Sequence, residues 1–221
     1  MRFVLVLVLA ARTASAAEPC TSTQLAAELE KAPRTAEGLR AGGLRTKVLL
    51  TANTDEECRT ELFRTFYEYA ATTSQIDLPW LTKTFGPVLP TVWRDFFKLR
   101  VEADTADLVK DGVLTVPVAE LRKRVRRWET FALRYPTFAQ SRLAQQMAEL
   151  CFRLLLVGTP KTNAFAPDGK LRPEVRTELE AYSADKGATR RSSVRTYLMI
   201  LKRQSYQRST LSEAYARKIT R

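Results

Sequence analysis

Two long amphipathic segments meet at Tyr135-Pro136, and that junction restricts the chain to folds built from packed helical pairs. Over residues 117–134, Val118, Leu121, Val125, Trp128 and Ala132 fall within about an 80° arc at ~100° per residue. Arg122, Lys123, Arg126, Arg127 and Arg134 take the opposite side. A second helix is predicted over residues 137–157, stopped by Gly158 and Pro160. A connection of two residues predicts a tight antiparallel hairpin.

The remaining chain also reads as helices. Residues 23–31 form a short helix ended by Pro33, and residues 35–52 a weaker one interrupted by Gly42-Gly43. Thr54-Asp55-Glu56-Glu57 has the pattern of a capping box, with the threonine hydroxyl accepting from the third helical amide and Glu57 reaching back. That helix runs to about Thr72, with Cys58, Leu62, Phe66 and Tyr69 as its core stripe. The proline-rich residues 73–90 predict a short helix around 79–84 framed by turns. A helix over 91–101 follows, with Val92, Phe96 and Leu99 inward, then a further turn or two ending at Gly112. Residues 113–116 are the single strand candidate.

After the turn at Pro167-Asp168-Gly169, Pro173 stands at a first-turn position of a helix with Val175, Leu179 and Tyr182 inward. Ser192 or Ser193 caps the next helix, whose inward face is Val194, Leu198, Leu201 and Ser205. Thr210 and Glu213 cap a terminal helix using Leu211, Ala214, Tyr215 and Ile219. Persistent two-residue alternation is missing, so the predicted class is all-α, a multi-helix domain of antiparallel helical hairpins. It divides into an N-terminal helical region over 17–112 and a helical-hairpin region over 113–221, or runs as one continuous domain over 17–221.

The stretch Phe131-Ala132-Leu133-Arg134-Tyr135-Pro136, continuing to Leu143-Ala144, resembles the helix–turn–helix of tetratricopeptide-like envelope proteins. An echo follows at Ala181-Tyr182 and at Val194-Arg195-Thr196-Tyr197-Leu198. The resemblance covers at most a third of the chain and lacks the early Trp and Leu-Gly landmarks of such repeats. It implies stacked helical hairpins over residues 117–207.

The N-terminus carries an address. Arg2 precedes an apolar run of nine residues, Phe3 to Ala11, and Ala14-Ser15-Ala16 forms a small-residue cleavage site. Residues 1–16 therefore read as a cleavable signal peptide, and the mature product is expected to be soluble and periplasmic or extracellular. The run is too short to span a bilayer, which takes about 20 apolar residues. Glu18 and Pro19 before Cys20 break the lipid-anchor pattern. In an oxidising compartment three cysteines suggest one bridge and one leftover thiol. Cys151 lies in an apolar run, which leaves Cys20 and Cys58 as the expected disulfide.

Charge is concentrated at the other end. Between Lys186 and Arg221 stand ten basic residues against one acid, Glu213, in a chain whose net charge is +12. Arg191, Arg195 and Lys202 project within about a 40° arc of one predicted helix. Arg190, Arg191, Arg195, Lys202, Arg203 and Arg208, with Tyr197 and Tyr206, form the candidate binding face for an anionic partner, since guanidinium and aromatic groups suit phosphate and stacking contacts. Export favours an anionic envelope component or an acidic protein over nucleic acid.

Catalytic sets are largely excluded. The chain has no histidine, which removes Ser-His-Asp and Cys-His systems and histidine metal ligands. Glycine-rich phosphate loops are missing, and neither a metal site nor a cofactor is expected. Ser183-Ala184-Asp185-Lys186 matches the Ser-x-x-Lys of penicillin-binding proteins, but their later motifs do not follow. Glu57, Glu61, Glu68 and Asp77 remain as acids for glycan cleavage, which needs one protonated and one ionised carboxyl. Glu68, between Tyr67 and Tyr69, is the one whose neighbours are expected to desolvate it. The expected function is a non-enzymatic exported interaction or scaffold protein docking through its basic C-terminal segment. The alternative is a carboxylate-dependent cell-wall glycan-cleaving enzyme.

Overall fold

The computed structural model describes residues 20–73, 77–104 and 107–220. The leader predicted over 1–16 lies outside them. Among the described residues the chain forms ten helices and one two-stranded hairpin, so the all-α class holds. None of these helices is long and apolar enough to cross a membrane.

The first five helices build an aromatic core. α1 (Ser22–Glu30) and α2 (Ala36–Ala52) both pack on α3 (Glu56–Thr72). α3 has the expected stripe of Cys58, Leu62, Phe66 and Tyr69 buried, together with Phe63, Tyr67 and Ala70. Its cap is Asp55 rather than Thr54: the Asp55 carboxylate accepts from the Cys58 amide at 2.6 Å. The carboxylate is a stronger acceptor than a hydroxyl next to a helix N-terminus, and the helix start moves by one residue accordingly.

Gly42 and Gly43 do not interrupt α2, which is continuous. A Cβ on Gly42 would come within 2.7 Å of Leu29 Cδ2, and one on Gly43 within 3.0 Å of Trp80 Cη2. The pair lets α2 lie close against its neighbours instead of breaking it. α4 (Leu78–Phe85) and α5 (Thr91–Asp104) complete this layer, with Trp93, Phe96 and Phe97 buried.

β1 (Val109–Lys110) and β2 (Val113–Leu114) pair antiparallel around Asp111-Gly112, both with positive φ. The strand candidate is thus real. Its partner occupies residues expected to be helical, because a left-handed Asp-Gly pair closes a two-residue hairpin.

α6 (Val118–Arg134) and α7 (Ser141–Val157) form the anticipated hairpin, but six residues join them rather than two. The cause is Phe138. The Phe138 amide donates to Tyr135 O and the Ser141 amide to Phe138 O, a tight turn that drives the Phe138 ring into the first core. There it meets Trp93 edge-on at 4.8 Å and Phe131 at 5.8 Å. Starting the helix at residue 137 would forgo that burial.

The same turn recurs 50 residues later. Hydrogen bonds Tyr135 N to Phe131 O, Phe138 N to Tyr135 O, Ser141 N to Phe138 O and Ala144 N to Gln140 O have counterparts between α8 (Pro173–Ala184) and α9 (Arg191–Arg203). Those are Asp185 N to Ala181 O, Ala188 N to Asp185 O, Arg191 N to Ala188 O and Val194 N to Arg190 O. α8 packs on both α6 and α7, and α10 (Thr210–Ile219) closes over α9. Arg190, not Ser192 or Ser193, is the residue that precedes α9, since the repeated turn sets where the helix begins. Ser209 rather than Thr210 caps α10, in a reciprocal box with Ser212. Consequently Ser212 and Ala216 face inward while Leu211 is exposed. Ser205 leaves the helix altogether, with φ 53° in the turn after α9.

The α6–α7 hairpin serves two cores. Trp128, Phe131, Ala144 and Ala148 join the aromatic cluster of α1–α5. Leu121, Val125, Cys151, Phe152, Leu155 and Leu156 join a second cluster with Leu179, Tyr182, Val194, Tyr197 and Leu201.

Candidate functional site

The Cys20–Cys58 disulfide forms as expected, with Cα atoms 5.4 Å apart, and ties the start of α1 to the first turn of α3. Cys151 is fully buried, and desolvation pushes its thiol up to about 11. A thiol so placed stays protonated and acts as a small apolar group.

A groove of about 950 Å³ runs beside the disulfide, between α3 and the α6–α7 turn. Val92, Tyr135, Pro136 and Phe138 give it an apolar lining, and Glu57, Glu61, Arg64 and Arg134 charge it. Two of the four candidate acids therefore do line one groove. Arg64 forks onto Glu61 and reaches Glu68 at 3.1 Å, and the Glu61 bond raises the Arg64 pKa. Across the groove Tyr135 donates to Asp95 at 2.7 Å, with Arg134 3.4 Å from the same carboxylate.

The other two acids lie elsewhere. Glu68 is exposed, because Tyr67 and Tyr69 both turn into the core and leave it outside rather than covering it. Asp77 caps α4 by accepting from the Trp80 amide at 3.1 Å. Ser183 donates to its own helix carbonyl Glu180 O at 2.9 Å, while Lys186 is exposed in the following turn. Those two side chains form no nucleophile–base pair. Among the described residues no cluster of three or more His, Cys, Asp or Glu is placed to hold a metal ion.

The eight candidate binding residues separate into two groups. Arg195, Lys202 and Arg203 are exposed on α9 and have no acidic partner among the described residues. Arg195 and Lys202, two turns apart, share a ridge with Met199, which is 56% exposed. The other five are engaged within the fold. Arg191 Nε donates to Ser183 O at 3.0 Å, and the Arg176 guanidinium covers the Tyr206 ring at 3.9 Å. Arg208 lies over Phe165 and donates to Asn163 Oδ1 at 2.6 Å. Tyr197 is a core residue, stacked on Tyr215 with ring centroids 6.4 Å apart.

Arg190 leads to a feature the sequence analysis missed. Its guanidinium stands 4.9 Å over Phe152 and 3.6 Å from Glu129, a carboxylate only 4% exposed. Glu129 also accepts from the Tyr182 hydroxyl at 2.5 Å, from Arg126 at 2.8 Å and from the Thr189 hydroxyl. Arg126 continues to Asp185 at 2.6 Å and holds that carboxyl below its ordinary pKa. Burial, and then the Glu129 bond, push the Tyr182 phenol well above the usual tyrosine range. This network pins the α8–α9 turn to α6. A signal for it existed: Glu129 follows Val125 by four residues, which puts an acid at the edge of the inward arc.

Compared with known proteins, the chain matches no family model, no curated protein and no solved structure.

Proposed function

We propose that this is an exported, non-enzymatic helical interaction protein that docks an anionic envelope component or an acidic protein on the outer ridge of α9. The observation that carries the reading is the set Arg195, Lys202 and Arg203: three exposed cations on one helix, unneutralised by any acid among the described residues. Cations held on a folded helix concentrate positive potential without the ordering cost of a loose tail. The leader-like N-terminus and the Cys20–Cys58 bridge support export.

Deleting residues 186–221 is a poor test, because Val194, Tyr197, Leu201 and Ala216 belong to the second core. Charge reversal is a better one. The mature protein is expected to bind phosphatidylglycerol vesicles or polyglutamate, and Arg195→Glu with Lys202→Glu and Arg203→Glu to lose at least tenfold. Unchanged binding by the folded triple variant would reject the ridge.

Glycan cleavage is kept as a second reading because Glu57 and Glu61 share the groove wall. It requires that the protein release reducing sugar from cell-wall glycan and that Glu57→Gln or Glu61→Gln abolish the release. Intact glycan after prolonged incubation rules it out.

A further inference from the structure

A small cavity of about 170 Å³ opens where the end of α7, the loop after it, α9 and α10 meet. One wall is apolar, from Leu156, Phe165 and Ala216. The charged part of the lining comes from Arg208, Glu213 and Arg217, with Arg208 lying over the Phe165 ring itself at 5.0 Å. Tyr197 also lines it, 1% exposed, and its hydroxyl has no hydrogen-bond partner among the described residues. The hydroxyl is not sealed in the interior, so it is free to bond a group that enters the cavity.

The charged side is itself incompletely closed. Glu213 stands 3.9 Å from both Arg208 and Arg217, outside hydrogen-bond distance of either. Asn163 Oδ1 is filled by the Phe165 amide and Arg208, leaving its amide nitrogen without a partner among the described residues.

We propose that this cavity binds a small free α-amino acid as its zwitterion. Arg208 and Arg217 face the carboxylate, and the Tyr197 hydroxyl donates to it. Glu213 takes the ammonium, and Leu156, Phe165 and Ala216 receive an aliphatic side chain. The space, about 170 Å³, equals that of about six waters at ~30 Å³ each, enough for alanine or valine. A phosphate dianion would place its charge beside Glu213, which opposes it. The inference does not rest on the α9 ridge, whose cations Arg195, Lys202 and Arg203 take no part in the cavity.

Calorimetric titration of the mature protein with alanine and valine tests it, with N-acetylalanine, alaninamide and inorganic phosphate as controls. Saturable binding of alanine or valine is expected, weaker by about tenfold or more when either charge is blocked, with no competition from phosphate. Tyr197→Phe and the surface change Arg217→Gln should each weaken binding about tenfold, with circular dichroism confirming the fold. Should Tyr197→Phe fail to fold, Arg217→Gln decides. The proposal is overturned by absence of saturable binding, by displacement of alanine with phosphate, or by folded variants that bind like the parent.

Discussion

The two cores flank one hairpin yet are held together differently. The α1–α5 core is a mesh of rings: Phe63 touches Phe85 and Trp93, each at 5.0 Å edge-on, and Phe97 at 5.8 Å. Its cohesion is apolar and spread over many contacts. The α8–α10 core is largely aliphatic, and one buried carboxylate, Glu129, fixes how its second hairpin sits on the first. Packing of the first kind sets how stable a layer is. A directional network of the second kind sets register, and losing one member strands the rest.

The largest expected effects come from attacking each core by its own logic. Phe63→Ala should cost about 3–5 kcal/mol and loosen α1–α5 first. Glu129→Ala should cost a similar ~3–5 kcal/mol by leaving Arg126, Arg190 and the Tyr182 hydroxyl without their acceptor, and should loosen α8 and α9 first. Urea unfolding gives the magnitudes and amide hydrogen exchange gives the location. If both variants raise exchange uniformly along the chain, the distinction between the cores is gone.

Next in size is the disulfide, which belongs to the first core alone. Cys20→Ser with Cys58→Ser removes a link across 38 residues, worth about 3–4 kcal/mol of chain entropy. Exchange should rise in α1 and α3 while α8 to α10 stay protected.

Alkali should discriminate the other way. In the second core Cys151, Tyr182 and Tyr197 all have raised pKa values, each chiefly through desolvation. A raised pKa means the folded state keeps its proton longer, so this stability is fully present below the unfolded value and is lost as pH climbs. For Cys151 the loss runs from about 9 to about 11 and totals about 2–3 kcal/mol. The second core should therefore melt first in base, and Cys151→Ala should flatten that slope in thermal melts between pH 8 and 11.

Smaller still is Gly43→Ala, where the new methyl group meets Trp80 and Phe66 at 3.0 and 3.3 Å. A loss of about 1–2 kcal/mol in thermal unfolding is expected, opposite in sign to the gain alanine brings to an open helix.

Helix positions were legible in the sequence wherever an apolar stripe was long. The inward faces Leu121–Val125–Trp128 and Val175–Leu179–Tyr182 are read directly from spacing and are buried. Ends were less legible because tertiary contacts decide them: Phe138 leaves the helix pattern to fill the aromatic core, and Ser209 displaces Thr210 as a cap. Glycine pairs mislead in the same way, since Gly42-Gly43 reads as a break until Trp80 and Leu29 are seen against it.

The candidate site was half legible. Arg195, Lys202 and Arg203 face outward as their spacing requires. Tyr197 was assigned to a surface by its neighbours' charge, although it falls three residues after Val194 and four before Leu201, on the buried stripe. The groove beside Cys58 had no sequence signature, because it arises where α3 meets a turn some 70 residues away.

The most direct measurement is a salt titration of phosphatidylglycerol-vesicle binding by the protein and by the triple variant Arg195→Glu, Lys202→Glu, Arg203→Glu. Lys202 and Arg203 stand in the last turn of α9, where glutamate opposes the helix dipole. The triple variant should therefore lose about 1–2 kcal/mol, and circular dichroism checks that it remains folded. The account predicts strong binding by the parent at low salt that falls steeply toward 1 M, where screening reaches ~3 Å, and a weak, nearly flat response from the variant. Parallel curves of equal strength for the two proteins would contradict it.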